Sequence, residues 1–158
     1  MLEKDYNDCV KLYADNVYRF IVKNLGHSED SKDIVQTAFE KLWINKEKVE
    51  VTSSKSYLFT IAYNLMIDHI RKNKRVVLKE EMPEGINFTK SNSGRILNEA
   101  LSTLSETQRS LVMLKDYEGY SYQEIGEITG LNESQVKVYL HRARLQLREY
   151  IVSPENVI

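Results

Sequence analysis

The chain has 158 residues, 42% of them apolar and 28% charged, with 22 Lys and Arg against 23 Asp and Glu for a formal charge of −1. These are ordinary globular proportions, which exclude wholesale disorder and a collagen-like chain; the length allows one domain or two small ones. No apolar run approaches the ~20 residues of a membrane span, so no membrane insertion is expected.

Only six Gly and two Pro, Pro83 and Pro154, interrupt a chain rich in Leu, Lys, Glu and Ile, which points to an all-α fold. Over residues 4–25 the positions Val10, Tyr13, Val17, Phe20, Ile21 and Leu25 recur at three- and four-residue steps. That spacing predicts a helix with one buried stripe, stopped by Gly26. Ser28 is the expected cap of a second helix, with Glu29 and Asp30 where the positive helix end favours acids. Its apolar face is Ile34, Val35, Ala38, Leu42 and Trp43, and it ends near Asn45. Residues 46–55 have no helical period and read as a loop. A third helix is predicted over 56–74, with Leu58, Ile61, Ala62, Leu65 and Ile70 inward. The stretch 76–94, VVLKEEMPEGINFTKSNSG, has no sustained period and reads as a flexible linker between two small helical domains. Four shorter helices should follow. Three of them open with a capping residue followed three places on by Glu or Gln: Ser105 with Gln108, Ser121 with Glu124, Asn132 with Gln135.

The segment YQEIGEITGLNESQVKVYLHRARLQLR, residues 122–148, meets the requirements of a helix-turn-helix. Gly130 supplies the turn, Gly126 the small residue at the closest approach, and Ile125, Leu131, Val136 and Leu140 the shared core. From Ser134 to Arg148 the second helix carries Lys137, Arg142, Arg144 and Arg148 and no acid. The N-terminal residues of such a helix reach base edges while later cations meet phosphates. Glu133, Ser134, Gln135, Lys137, Val138 and His141 are therefore the candidate groove readers. Helix-turn-helix units also serve protein contacts, so this half alone leaves both uses open.

In the N-terminal half, Asp33, Gln36, Phe39, Glu40 and Trp43 surround one side of the second helix. Phe39 and Trp43 make its apolar stripe wider than one packing face needs. Either both are core, or aromatics flanked by carboxylates form a surface for a basic helical partner. The third helix ends in RKNKR, with Arg71, Lys72, Lys74 and Arg75 cationic in five residues. Such an end complements the helix dipole, yet Tyr57, Tyr63 and Asn64 nearby also suit unstacked bases of a single strand.

Catalytic readings find no support. His27, His69 and His141 lie on separate segments without Cys, His or carboxylate at ligand spacing. There is no phosphate-cradling Gly-rich loop and no nucleophile elbow. The single cysteine, Cys9, cannot form an internal disulfide, as suits a reducing cytosol, and reads as packing. The N-terminal MLEKDYNDCV lacks a secretory signal pattern, so a cytoplasmic protein is expected, with no metal and no cofactor.

Taken together, the chain resembles the extracytoplasmic-function (ECF) group of bacterial RNA polymerase sigma-70 factors over nearly its whole length. EDSKDIVQTAFEKLW, residues 29–43, looks like the helix that holds the clamp helices of the polymerase β′ subunit. SYLFTIAYNLMIDHIRKNKR, residues 56–75, looks like the helix that opens and reads the −10 element. Residues 101–148 look like the fourth conserved region, whose helix-turn-helix reads the −35 element. The resemblance implies a region 2 domain over 1–75, a linker over 76–94 and a region 4 domain over 95–152. It implies a non-catalytic initiation subunit whose partners are core RNA polymerase, through the β′ clamp helices and the β flap, and promoter DNA. Many members of the family are also held by a cognate anti-sigma factor. Four positions depart from the usual residues: Tyr57 stands for a frequent Trp, Ser105 for Pro, Gly126 for Ala, and Gln135 for Thr or Ser, the last with a bearing on −35 preference.

Carried over residue by residue, the resemblance assigns Asp33, Gln36, Phe39, Glu40 and Trp43 to polymerase binding. Tyr57, Asn64, Asp68, Arg71, Lys72, Lys74 and Arg75 fall to the −10 strand, with residues 46–55 lining the pocket for a flipped base. Glu133, Ser134, Gln135, Lys137, His141, Arg142 and Arg144 fall to the −35 duplex. One alternative, a free-standing helix-turn-helix regulator, explains the C-terminal half equally well but leaves DIVQTAF and RKNKR as accidents; a second is a helical adaptor whose hairpins bind proteins only. The charge of −1 is thus an average. Residues 29–50 hold Glu29, Asp30, Asp33, Glu40, Glu47 and Glu50 against Lys32, Lys41, Lys46 and Lys48, whereas both expected DNA segments are cationic. Few phosphate contacts mean weak DNA affinity for the isolated chain.

Overall fold

Helices account for the regular structure of the described residues, 1–73 and 92–152 of a computed structural model, with the side chains of Asn92 and Ser93 excepted. The elements are α1 (Glu3–Leu25), α2 (Ser28–Ile44), α3 (Ser54–Asn73), α4 (Asn92–Ser102), α5 (Glu106–Val112), α6 (Tyr122–Thr129) and α7 (Glu133–Val152). A 3-10 turn, Val51–Ser53, leads into α3, and a π-helical turn, Met113–Tyr117, extends α5. They form two compact units, one carrying α1–α3 and the other α4, α5, α7 and the start of α6. The linker expected over 76–94 lies outside the described residues up to Ser91. Its last three positions belong to α4, where Gly94 is buried.

In the first unit, α1, α2 and α3 each pack on the other two. Val17, Phe20 and Ile21 meet Ile34, Ala38 and Leu42 of α2 and Leu58, Phe59, Ala62 and Met66 of α3, all of them buried. The rings of Phe20 and Phe59 stand edge to face at 5.4 Å, a preferred aromatic geometry. Gly26 ends α1 at φ 71°, the left-handed stop that its sequence position predicts. Cys9 is 2% exposed and donates to Ser54 Oγ at 3.2 Å, tying α1 to the start of α3 as packing.

Three expectations for this unit change. The cap of α2 is His27, not Ser28: the ring Nδ1 accepts from Asp30 N, and Ser31 Oγ donates to the His27 carbonyl at 2.6 Å. The segment after α2 is shorter than a ten-residue loop, because Val49 is buried and the backbone turns helical at Val51. The buried stripe of α3 is Leu58, Phe59, Ala62, Tyr63 and Met66, while Ile61, Leu65 and Ile70 are only half-buried. The sequence LFTIAYNLMI is apolar around most of its circumference, so spacing alone admits either stripe.

In the second unit, α7 packs on α4 and α5. All three expected capping boxes form. Ser105 Oγ accepts from Gln108 N at 3.2 Å, Ser121 Oγ from Glu124 N at 3.1 Å, and Asn132 Oδ1 from Gln135 N at 2.8 Å. At the far end of α4 the Arg109 guanidinium donates to the carbonyls of Leu101 at 3.0 Å and Leu104 at 2.8 Å. A cation thereby closes the orphan carbonyls of a helix C-terminus. The last helix is not short: α7 runs 20 residues, the length of α3, because Gln146 reaches the Thr103 carbonyl and Tyr150 OH donates to Glu99 Oε2.

Candidate functional site

Three helix faces carry the residues singled out by sequence. On α2, burial of Ile34, Ala38 and Leu42 turns Asp33, Gln36, Glu40 and Trp43 outward, spaced by threes and fours. Gln36 Nε2 donates to Glu40 Oε1 at 3.3 Å, which orders two of these groups without burying them. Phe39 does not share that exposure. It is 7% exposed, its ring edge-to-face with Tyr6 at 6.5 Å, and its carbonyl accepts from Tyr6 OH at 3.0 Å. Trp43 remains 40% exposed. Its ring meets the Tyr6 ring at 4.9 Å, and the Lys46 ammonium stands 3.3 Å from its centroid. Tyr6 and Lys46 thus complete the surface, although neither falls in the sequence-based set. Tyr6 lies on another helix, and Lys46 follows the end of α2, so the period of α2 could not find them. Burial, with Glu40 and Cys9 nearby, pushes the Tyr6 phenol above its usual range.

On α3, Tyr57, Asn64, Asp68 and Arg71 fall on one outward stripe, Tyr57 half-buried and the others exposed, with Lys72 exposed beside them. Lys74 and Arg75 lie outside the described residues. Tyr63, expected near a strand of unstacked bases, is 7% exposed and belongs to the core. His69 is engaged as well: its Nε2 is 3.1 Å from Asp30 Oδ2 and 2.9 Å from Asn73 Nδ2. His27 Nδ1 approaches the same Asp30 oxygen at 3.5 Å. Two histidines far apart in sequence therefore converge on one carboxylate, joining the start of α2 to the end of α3. Even so, no group of three or more His, Cys, Asp or Glu among the described residues is arranged to hold a metal.

On α7, Val136, Leu140 and Ala143 are buried with Ile125 of α6. Gly130 takes φ 81° at the turn, and a Cβ on Gly126 would stand 2.7 Å from the Leu131 carbonyl oxygen. The close approach favours glycine at 126, and the left-handed φ favours it at 130. Ser134, Lys137, Val138, His141, Leu145 and Arg148 form the exposed outer face, with Arg142 beside it. Gln135 is exposed too, but its Oε1 accepts from Asn132 N at 3.0 Å, so it closes the helix start. Glu133 pairs with Lys137 at 3.5 Å.

Arg144 points elsewhere. Its Nη2 is 2.7 Å from Asp116 Oδ1 in the π-helical turn, and that hydrogen bond, against some burial, holds the guanidinium pKa above its usual value. Between these elements Tyr122 lies under two ammonium groups, Lys115 at 4.7 Å and Lys137 at 5.5 Å from its centroid. Lys115, Tyr122, Lys137 and Arg144 are thus gathered from three elements into a cationic flank of the outer face. Lys115 and Tyr122 were not found from sequence, because nothing in the local spacing joins the π-helical turn to α6.

Comparison with known proteins places these faces in context. Residues 9–76 match the family described as Sigma-70 region 2, and residues 94–147 match Sigma-70, region 4. The sigma factor SigV of Bacillus subtilis is 30% identical over 144 residues, covering 89% of this chain and 87% of its own. The ECF sigma factor SigW of the same organism is 29% identical over 166 residues, covering 92% and 88%. The ECF sigma factor SigE of Mycolicibacterium smegmatis is 30% identical over 92% of this chain, which spans 61% of that relative's length. Among solved structures, the sigma factor RpoE in complex with the anti-sigma factor NepR from Bartonella quintana matches with a TM-score of 0.80 and 25% identity. That match covers 96% of this chain and 99% of the other.

Proposed function

The chain belongs to the ECF group of bacterial RNA polymerase sigma-70 factors, subunits that direct initiation at promoters, and on that premise we propose which of its surfaces carries each step. Residues 1–75 act as the region 2 domain, 76–94 as the linker and 95–152 as the region 4 domain. The outward face of α2, Asp33, Gln36, Glu40 and Trp43, docks on the clamp helices of core polymerase, with Phe39 and Tyr6 shaping it from beneath. The second unit meets the β flap. The α3 stripe of Tyr57, Asn64, Asp68 and Arg71, followed by Lys72, Lys74 and Arg75, tracks the −10 strand. Unstacking a base costs a few kcal/mol, which stacking and hydrogen bonds at this stripe offset.

On the −35 duplex, Ser134, Lys137 and His141 face the groove, and Arg142 meets phosphate. Glu133 and Gln135 act at one remove, as the partner of Lys137 and the closure of the helix start. Arg144 holds the π-helical turn against α7, so its contribution to DNA binding is positioning. The protein catalyses nothing itself and works in the cytoplasm. No helix among the described residues is long and apolar enough to cross a membrane. The likeness to RpoE, solved with NepR, supports an anti-sigma factor as a further partner.

The observation that carries this reading is the segregation of function-bearing faces. An exposed acidic and aromatic face lies on α2, and an exposed cationic face without a free acid on its DNA-facing turns lies on α7. The test is run-off transcription with purified chain, core polymerase and promoter DNA. Promoter-specific transcripts are expected only with both proteins present. Tight, specific DNA binding by the chain alone without polymerase association overturns the reading.

A further inference from the structure

Val138 stands in the second turn of α7, two residues from the buried Val136 and therefore on the opposite side of the helix. It is 45% exposed, although the residues around it on the outer face, Ser134, Lys137, His141 and Arg142, are all hydrogen-bonding or charged. A β-branched residue gains nothing for an exposed helix position by propensity. The hydrophobic core of the unit does not use it either. Its surroundings are cationic: Lys137 and Arg142 flank it, and the one acid of the first turn, Glu133, is already paired with Lys137. That charge fits a polyanion and disfavours a basic or purely apolar partner.

Resting on the assignment of this face to the −35 duplex, we propose that Val138 is a specificity-determining residue that reads the 5-methyl group of a thymine in the major groove. Every other exposed side chain in the first two turns of α7 can distinguish bases by hydrogen bonding; Val138 has no atom that can. The apolar group that a base pair displays in the major groove is the thymine methyl, and small apolar side chains are its usual partners. The first two turns are also the part of a recognition helix that enters the groove. Val138 therefore selects a T·A pair at one −35 position, while Ser134, Lys137 and His141 select their neighbours by hydrogen bonds.

The experiment uses full-length chain with core polymerase and a −35 element selected by that holoenzyme from randomised duplexes. Each thymine of the element is replaced in turn by deoxyuridine, which removes the methyl and nothing else. One position should lose about fourfold in promoter binding with the native protein, the value of one buried methyl group. That loss should vanish in Val138→Ala, shrink in Val138→Thr, and leave the sensitivity of other positions unchanged. If the substituted element still binds native holoenzyme tightly at every position, or if Val138→Ala leaves every deoxyuridine penalty in place, the proposal is overturned. A wholly scrambled −35 element separates the two levels. Undiminished binding to it overturns the −35 assignment and the proposal together; lost binding with penalties indifferent to Val138 overturns the proposal alone.

Discussion

Tyr6 shows how one side chain can serve both fold and surface. Its hydroxyl satisfies the Phe39 carbonyl, and its ring supports the exposed Trp43. Removing the hydroxyl in Tyr6→Phe should cost about 0.5–1.5 kcal/mol, the range for a single hydrogen bond, as read by urea unfolding at neutral pH. Because burial raises the Tyr6 pKa in the folded state, its stabilising contribution is complete below the unfolded value of ~10 and falls as pH rises through the folded value. The difference between native and Tyr6→Phe protein should therefore shrink in alkaline buffer; a constant difference would contradict the shift. Phe39 and Trp43 now separate as well. Phe39→Ala should destabilise by about 3–5 kcal/mol as a core truncation. Asp33→Ala with Trp43→Ala should keep its helix content by circular dichroism and abolish capture by core polymerase; unimpaired capture would refute the α2 face.

Among elements, the helix-turn-helix was the most legible from sequence, and the reason is locality. A capping box joins residues three apart, and a left-handed turn needs one glycine, so Ser105, Ser121, Asn132 and Gly130 state their roles without reference to the rest of the chain. Gly126 carries a sharper consequence than its smallness suggested. With the Leu131 carbonyl 2.7 Å from the position of a Cβ, Gly126→Ala must push backbone apart. It should cost about 1–3 kcal/mol, as overpacking does, and a thermal melt of the variant measures it. The α3 stripe shows the opposite case. Two apolar stripes lie side by side there, and Phe59, Tyr63 and Met66 won because the α1–α2 surface offered them a place, as Phe20 does for Phe59. The cationic flank on α7 yields a prediction at this scale too. Lys115→Ala should weaken −35 binding evenly across sequences and reduce the salt slope by about 1, the mark of one lost phosphate contact.

For the whole molecule, the near-zero net charge conceals a division of labour. The acids lie on the exposed face of α2 and the bases on the exposed faces of α3 and α7, so each helix face carries only a few cations. The isolated chain should bind promoter duplex no more tightly than nonspecific binders do, with a dissociation constant of about 10⁻⁴–10⁻⁶ M at physiological salt. Fluorescence anisotropy with and without core polymerase checks this: specificity should appear only with polymerase. Specific nanomolar binding by the chain alone would mean that α7 needs no partner.

By itself the sequence determined the helices, the three capping boxes, the helix-turn-helix, the charge segregation and the family, because each depends on contacts a few residues apart or on motifs in order. Only the tertiary structure decided which of two apolar stripes α3 buries, that Phe39 goes inward while Trp43 stays out, and that Arg144 turns to Asp116. It also brought His69 to Asp30, and Lys115 and Lys137 to Tyr122. Those outcomes join residues on different elements, and helical period gives the direction of a side chain about its own axis without saying what waits there.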